Sequence, residues 1–330
     1  MTDRLQPSSG SVQGFIDLGQ ARLFVRERIN TLFRRSDPAV REMMDHLAAA
    51  DGKQFRAFLL LAAAADEDDQ VPLAAVNAAA AVEILHLATL VHDDIIDDAP
   101  LRRGLASIQS RFGKKAAVLG GDYLFSMALT LIADIAEQHT VKYSEFSRAI
   151  AQICLGELSQ HRHNHDANLS VFSYLRIIAG KTAALFALAM YAGAVIKGDS
   201  QQDARQLSHF GYAIGMHFQL ADDCLDYETS TENMGKQTSK DLAEGVVTLP
   251  LILAMMQNPG LRQVVSRSDL SPTEIASVTA QVVADGFARN ARQVAERYVT
   301  RARRSLARVS GPIRRERLDQ LLVTIVSRSF

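Results

Sequence analysis

The stretch Pro72–Gly104, PLAAVNAAAAVEILHLATLVHDDIIDDAPLRRG, decides how the rest of the chain is read. From Ala75 to Val91 its side chains are apolar nearly all round a helical wheel, the pattern of a helix at the centre of a bundle. The helix is expected from about Pro72 to Asp98, stopped by Pro100. Asn77, Glu83 and His86 interrupt the apolar run, so no transmembrane segment is expected. The C-terminal end reads His92-Asp93-Asp94-Ile95-Ile96-Asp97-Asp98. Residues i and i+4 share a helix face about 5–6 Å apart, so Asp93 and Asp97 point the same way. They repel each other at the end of the helix where the dipole is already negative. Such an arrangement needs a compensating cation.

The same D-D-x-x-D pattern closes a second apolar helix. In FQLADDCLDY, residues 218–227, Asp222 and Asp226 form the like-charge pair. A single acidic helix end is commonly just solvated; its recurrence after two apolar helices argues for a shared chemistry. Hard cations answer carboxylates, and Mg2+ takes carboxylate oxygens together with diphosphate oxygens and water. Positive groups lie at suggestive places. Asp51-Gly52-Lys53-Gln54-Phe55-Arg56 opens a helix, whose free N–H groups favour anions. Arg102 and Arg103 follow the first aspartates, Lys181 and Thr182 sit in Gly180-Lys181-Thr182, and Lys236 and Lys240 follow the second cluster. Arginine grips phosphate in a bidentate way.

The wider composition agrees with an all-α fold. Among 330 residues, 48% are hydrophobic, and only 8 are proline and 19 glycine, which favours helix over sheet. Further helices are expected near 14–35, from Pro38, from Lys53, and near 114–138, 142–165, 170–196, 201–227, 247–257, 272–309 and 313–327. Asp37 or Ser36 is placed to cap the helix that Pro38 opens. Residues 1–12 read as a disordered lead, and the absence of a repeat or linker makes 1–330 one helical domain. Net charge is −1, which names no nucleic-acid or membrane partner. Cys154 and Cys224 sit in apolar helical patterns, without a disulfide framework, and the N-terminus has no secretion-signal pattern, so a cytoplasmic protein is expected.

Taken together these segments resemble the trans-isoprenyl diphosphate synthases of the polyprenyl synthetase family. EILHLATLVHDDIIDDAPLRRG and FQLADDCLDY resemble its two aspartate-rich motifs. GKQFR, LGELSQ, GKTAALF and GKQTSKDLAEGVVTLPLILA resemble further segments in the same order, from about residue 50 to 255. The resemblance implies one large isoprenoid synthase-like helical bundle with a deep central cavity, acting as a homodimer. It implies a magnesium-dependent prenyltransferase that extends an allylic prenyl diphosphate with isopentenyl diphosphate. Asp93, Asp94, Asp97, Asp222, Asp223 and Asp226 would bind Mg2+ and the allylic diphosphate, and Arg102, Lys181 and Lys236 would hold that diphosphate. Gly52, Lys53, Arg56, His86 and Arg103 would hold isopentenyl diphosphate, while Thr182 and Gln219 would steady the developing carbocation. Leu85, Ala88 and Thr89, one to two turns before Asp93, would wall the product tunnel. In the family a bulky aromatic at that level stops the chain early; Ala88 and Thr89 leave the tunnel open, implying a C30–C50 all-trans product and transient membrane contact for its release.

The sequence departs from the family in places. Asp51 stands for a usual glycine, Ala57 for a proline, Ser239 for a glycine, and Val246 for a lysine that would touch diphosphate. Rival readings are a farnesyl or geranylgeranyl diphosphate synthase, a terpene cyclase, and a non-catalytic subunit of a heteromeric synthase. Cyclases need no isopentenyl diphosphate site, and non-catalytic subunits have eroded aspartates, whereas all six are present here. His161, His163 and His165 fall on different helix faces at a spacing of two, which is poor for a shared metal. The arginines between Arg301 and Arg317 lack stacking aromatics and are interrupted by Glu316, so a solvated helix face is preferred to nucleic acid. Whether Arg328 reaches over the site as a lid is a question the sequence leaves open.

Overall fold

The computed structural model describes residues 14–50, 52, 54–138, 143–232 and 239–327. The expectations for residues 1–12, Asp51, Lys53, Lys236 and Arg328 lie outside the described residues. The described chain is all-α apart from two antiparallel two-stranded pairs, Phe15–Asp17 with Gln70–Pro72 and Leu101–Arg102 with Leu105–Ala106. Such short pairs carry no sustained period-two alternation, which is why the sequence pattern passes over them. The chain groups into two compact units, 1–141 with 192–199, and 142–191 with 200–330.

In the first unit the helix Leu73–Ile96 forms the centre. Ala78–Val82, Ile84, Leu85 and Ala88 are buried, and each fully buried leucine or isoleucine contributes about 1.5–3 kcal/mol. Around it pack Leu18–Arg34, Phe55–Ala64 and Lys114–Gln138. Pro38–Ala49 begins as its sequence dictates: the Asp37 carboxylate accepts from the Ala39 N–H at 2.8 Å, with Pro38 just inside. The central helix stops one turn earlier than Pro100 requires, because Asp98 takes a left-handed φ of 50°.

In the second unit Gln201–Glu232 is the long central helix, with Phe287–Leu306, Pro272–Ala284 and Leu249–Gln257 packed on it. The stretch expected as one helix over 272–309 is two. Gly286, at φ 79°, ends Pro272–Ala284 and starts Phe287–Leu306, a conformation that glycine adopts without steric penalty. Val171–Ile178 and Ala184–Lys197 are joined by a π-helical turn, Ala179–Ala183. From Ala192 this last helix groups with the first unit.

By length and composition three helices are apolar enough to cross a membrane: Leu73–Ile96, Lys114–Glu137 and Val171–Lys197. Apolar 18-residue stretches of the first and third are 67% and 72% buried inside the protein, which accounts for their apolar character; that of the second is only 39% buried.

Candidate active site

The last turn of Leu73–Ile96 sorts its aspartates by face. Asp94 is buried and pairs with Arg102, whose Nε donates to Oδ1 at 2.8 Å and whose Nη2 makes a second, shorter contact. Asp93 is half-buried and Asp97 exposed, one turn apart, as the i, i+4 spacing requires. Asp98 pairs with Lys114 Nζ at 2.9 Å. His92 reaches the neighbouring helix Lys114–Gln138, its Nε2 3.6 Å from Asp122. Its ring lies over Gly121, where a Cβ would approach Nε2 to 2.3 Å, and Nε2 donates to the Val118 carbonyl at 3.3 Å.

Beside this helix end the first unit gathers positive charge. Arg56, Arg102 and Arg103 all act on His86. Desolvation of the imidazole, then these three arginines, hold His86 well below the ordinary histidine value, so it is neutral. Desolvation pushes the Arg56 guanidinium down to about 10, with Arg103 adding to the fall and Glu83 opposing it. Glu83 is buried, which raises its carboxyl, and it accepts the Ala57 N–H at 3.0 Å. That bond uses one of the helix-start N–H groups expected to be free for an anion. Gly52 lies against the Arg103 guanidinium; a Cβ there would meet Nη1 at 2.3 Å. Gly52, Arg56, His86 and Arg103 are thus brought together. Thr89 donates to the His86 carbonyl at 2.8 Å, while Leu85 and Ala88 are buried.

The second unit assembles the other motif. Asp223 is the buried member, as Asp94 is in the first motif. It accepts from the Tyr174 hydroxyl and, at 2.7 Å, from Gln219 Nε2; Gln219 Oε1 in turn accepts the Thr182 hydroxyl at 2.7 Å. Burial and then neighbouring Asp222 push the Asp223 carboxyl up to about 6 against the pull of these two donors. Tyr174 is held well above its usual value by burial and by Asp223, so it remains a donor. Asp222 is exposed and Asp226 half-buried. Asp226 accepts from the Ser239 hydroxyl and from the N–H groups of Lys240 at 3.1 Å and Asp241 at 3.2 Å. Ser239 therefore has a task that the usual glycine lacks. Lys240 Nζ is 3.5 Å from Glu244. Val246 is half-buried, with its N–H donating to the Asp241 carbonyl at 2.7 Å.

Lys181 and Thr182 stand on the π-helical turn. Its extra residue per turn is tolerated because two glycines meet: a Cβ on Gly156 would lie 2.4 Å from the Lys181 nitrogen, and one on Gly180 2.6 Å from the Gln152 carbonyl oxygen. π-turns are uncommon and concentrate at functional sites. Lys181 Nζ pairs with Glu157 at 3.0 Å. Glu157, Tyr174 and Asp241 are site residues that the sequence reading did not single out. Glu157 and Asp241 lie inside LGELSQ and SKDLAEG, whose pattern drew attention to the segments; nothing marks Tyr174 except position.

The donor set fits a divalent cation. Asp241 is pushed up to about 8 by burial and then by Asp223, Asp226 and Asp222, so four carboxylates crowd one another with oxygen donors alone. Among the described residues no three such groups already stand in a ligating arrangement. The histidines 161, 163 and 165 do not converge: His163 Nδ1 bonds the Ser159 carbonyl at 2.7 Å, and the His165 backbone N–H reaches the Gly245 carbonyl at 2.8 Å.

The polyprenyl synthetase family model matches residues 37–282. The chain belongs to the polyprenyl synthetase family. It is a prenyltransferase of a family that uses divalent metal. It is similar to the heptaprenyl diphosphate synthase component 2 of Bacillus subtilis, 32% identical over 90% of this chain and 85% of that protein. It is also 32% identical to the nonaprenyl diphosphate synthase of Mycobacterium tuberculosis, over 92% of this chain and 91% of that one. Among solved structures, the polyprenyl synthase of Caulobacter crescentus, complexed with calcium and isoprenyl diphosphate, superposes with a TM-score of 0.82. That match has 35% identity and covers 95% of this chain and 96% of the other. The all-α fold is that of this polyprenyl synthetase family.

Proposed function

We propose that this polyprenyl synthetase condenses isopentenyl diphosphate with an allylic prenyl diphosphate in a magnesium-dependent reaction, giving an all-trans product in the C30–C50 range. The observation that carries the reading is the gathering of Arg56, Arg102 and Arg103 around neutral His86 beside Gly52. A cationic cradle additional to the acidic motifs suits a second diphosphate, which elongation needs and cyclisation does not. In this reading Gly52, Lys53, Arg56, His86 and Arg103 bind isopentenyl diphosphate, and the bare backbone at Gly52 leaves room for the Arg103 fork. Arg102, Lys181 and Lys236 bind the allylic diphosphate, with Lys181 aimed by Glu157.

Asp93, Asp94, Asp97, Asp222, Asp223 and Asp226 are all assigned to magnesium and the allylic diphosphate, with Asp94 and Asp223 the buried member of each motif. Magnesium, when bound, neutralises negative charge on the leaving diphosphate. Thr182 spends its proton on Gln219, so its oxygen lone pairs remain to steady positive charge on the allylic carbon. Gln219 is oriented in turn by Asp223. Leu85, Ala88 and Thr89 wall the product tunnel. The long product is supported by the small side chains of Ala88 and Thr89 and by the names of the heptaprenyl and nonaprenyl synthases to which the chain is similar. We also assign the whole chain to one catalytic domain, working in the cytoplasm as a homodimer with transient membrane contact for product release. The apolar helix Lys114–Glu137, of which an apolar 18-residue stretch is 39% buried within one chain, supports a second copy.

The test is incubation of the purified chain alone with labelled isopentenyl diphosphate, magnesium and allylic primers of several lengths, with products sized by chromatography. Long polyprenyl diphosphates are expected. A cyclic hydrocarbon, or incorporation only after a second protein is added, would overturn the reading.

A further inference from the structure

The hairpin Leu101–Ala106 carries Arg102 in its first strand and Arg103 at its tip, with Leu101 paired to Ala106 and Arg102 to Leu105. Its own two leucines do little to hold it. Leu101 is 63% exposed and Leu105 36%, and a cavity bounded by His46, Leu87, Asp94, Arg102, Arg103 and Ala106 lies against it. Its root is held by the buried flanking residues Ala99 and Ile108, by the Ser107 N–H to the Pro100 carbonyl at 3.0 Å and by Gln109 Nε2 to the Ala99 carbonyl at 3.0 Å, and its two strands by further polar ties. The first strand is tied by Arg102 to Asp94. The second is tied at Ala106, whose carbonyl accepts from His46 Nε2 at 2.7 Å.

His46 stands in the last turn of Pro38–Ala49, and both its ring nitrogens are engaged. The Ala106 carbonyl only accepts, so Nε2 carries the hydrogen; Arg111 only donates, so Nδ1, 2.8 Å from its Nη1, is the bare acceptor. Arg111 is fixed in turn by Glu42 at 3.0 Å, one turn before His46 on the same helix. The ring packs edge-on to Phe112, centroids 6.0 Å apart. One helical turn beyond His46, the Ala50 carbonyl lies 3.5 Å from Arg103 Nη1. The same helix end thus grips the hairpin at its root and meets the arginine at its tip.

We propose that His46, braced by Arg111 and Glu42, is a positioning residue that sets the Leu101–Ala106 hairpin so that Arg103 reaches the diphosphate of isopentenyl diphosphate. The inference rests on the reading of Arg103 as a ligand of that substrate. Loosening the hairpin root lets Arg103 sample positions away from Gly52 and His86, so binding of this substrate weakens while the chemistry of bound substrate is little changed.

The test compares steady-state kinetics of four variants with wild type, with helical content monitored by circular dichroism. His46→Ala, losing both contacts, should raise the KM for isopentenyl diphosphate about tenfold with kcat within about twofold, as expected for two polar ties, one of them charged. His46→Gln, whose amide can still donate to the Ala106 carbonyl, should recover most of that loss. Arg111→Ala removes the brace alone and should raise KM about threefold. Arg103→Ala reports on the underlying site. If His46→Ala leaves KM unchanged while Arg103→Ala raises it, the positioning role is wrong and the site stands. If Arg103→Ala also leaves KM unchanged, the site reading falls and the proposal with it. A glutamine variant as impaired as the alanine one also overturns the proposal. Should His46→Ala not fold, Arg111→Ala and His46→Gln decide by the same criteria.

Discussion

Replacing Gly156 with alanine tests whether the π-helical turn is what places Lys181 and Thr182. The new Cβ would lie 2.4 Å from the Lys181 nitrogen and 2.9 Å from the Gly180 carbonyl carbon, both backbone atoms without a rotamer to give way. Ordinary contact begins near 3.4 Å, so the two segments must part by about 1 Å. Alanine gains about 1 kcal/mol of helix propensity over glycine, against about 1–3 kcal/mol for overpacking, so the net stability loss is at most about 2 kcal/mol. The catalytic effect should be larger, because a displacement of about 1 Å at a reacting group costs about 100-fold in rate. Urea denaturation and turnover would be measured on the same preparation. Gly193→Ala is the control: its Cβ would strike the Leu60 carbonyl oxygen at 2.3 Å, a comparable insult at a position carrying no assigned ligand. Gly156→Ala should lose turnover far beyond its stability loss, and Gly193→Ala should not. Equal turnover loss in the two, or a Gly156→Ala enzyme of normal rate, would refute the argument.

Asp93→Ala and Asp222→Ala should each lower turnover by orders of magnitude with unchanged helical signal, since both side chains are assigned to magnesium rather than to packing; near-normal rates would remove that assignment. Ala88→Phe should shift output toward shorter diphosphates, read by chromatography, and because Ala88 is fully buried it should also cost about 1–3 kcal/mol in stability; an unchanged product distribution ends the tunnel argument. His217 is buried, bonds the Ala295 carbonyl at 3.2 Å, and is lowered from 6.5 chiefly by that burial. The unfolded chain therefore takes up a proton more readily than the folded one, so this contribution to stability is complete above about pH 6.5 and shrinks as pH falls below it. Melting temperatures across that range should fall less steeply for His217→Asn, whose amide still donates to Ala295; identical slopes would show that His217 does not titrate between the two states.

The sequence by itself determined the helical class, the central helix Leu73–Ile96, and the two acidic motifs. Each follows from periodicity and local spacing, which a helix converts into faces without help from elsewhere. It also narrowed the cap beside Pro38 to Ser36 or Asp37, and the structure chose Asp37, a contact two residues long. Only the tertiary structure decided which aspartate in each motif turns inward. Asp94 and Asp223 are the second residues of identical patterns, and what buries them comes from residues 8 and 49 positions away, Arg102 and Tyr174. The π-turn under Lys181 was equally illegible: no local signal distinguishes it from α-helix, because its cause is the close approach of Gly156 from another helix. The break at Gly286 was written in the sequence but masked by helical periodicity on both sides. Local spacing is set by covalent geometry, and so it can be read directly; burial and partner choice are set by which distant segments meet, and only packing supplies that.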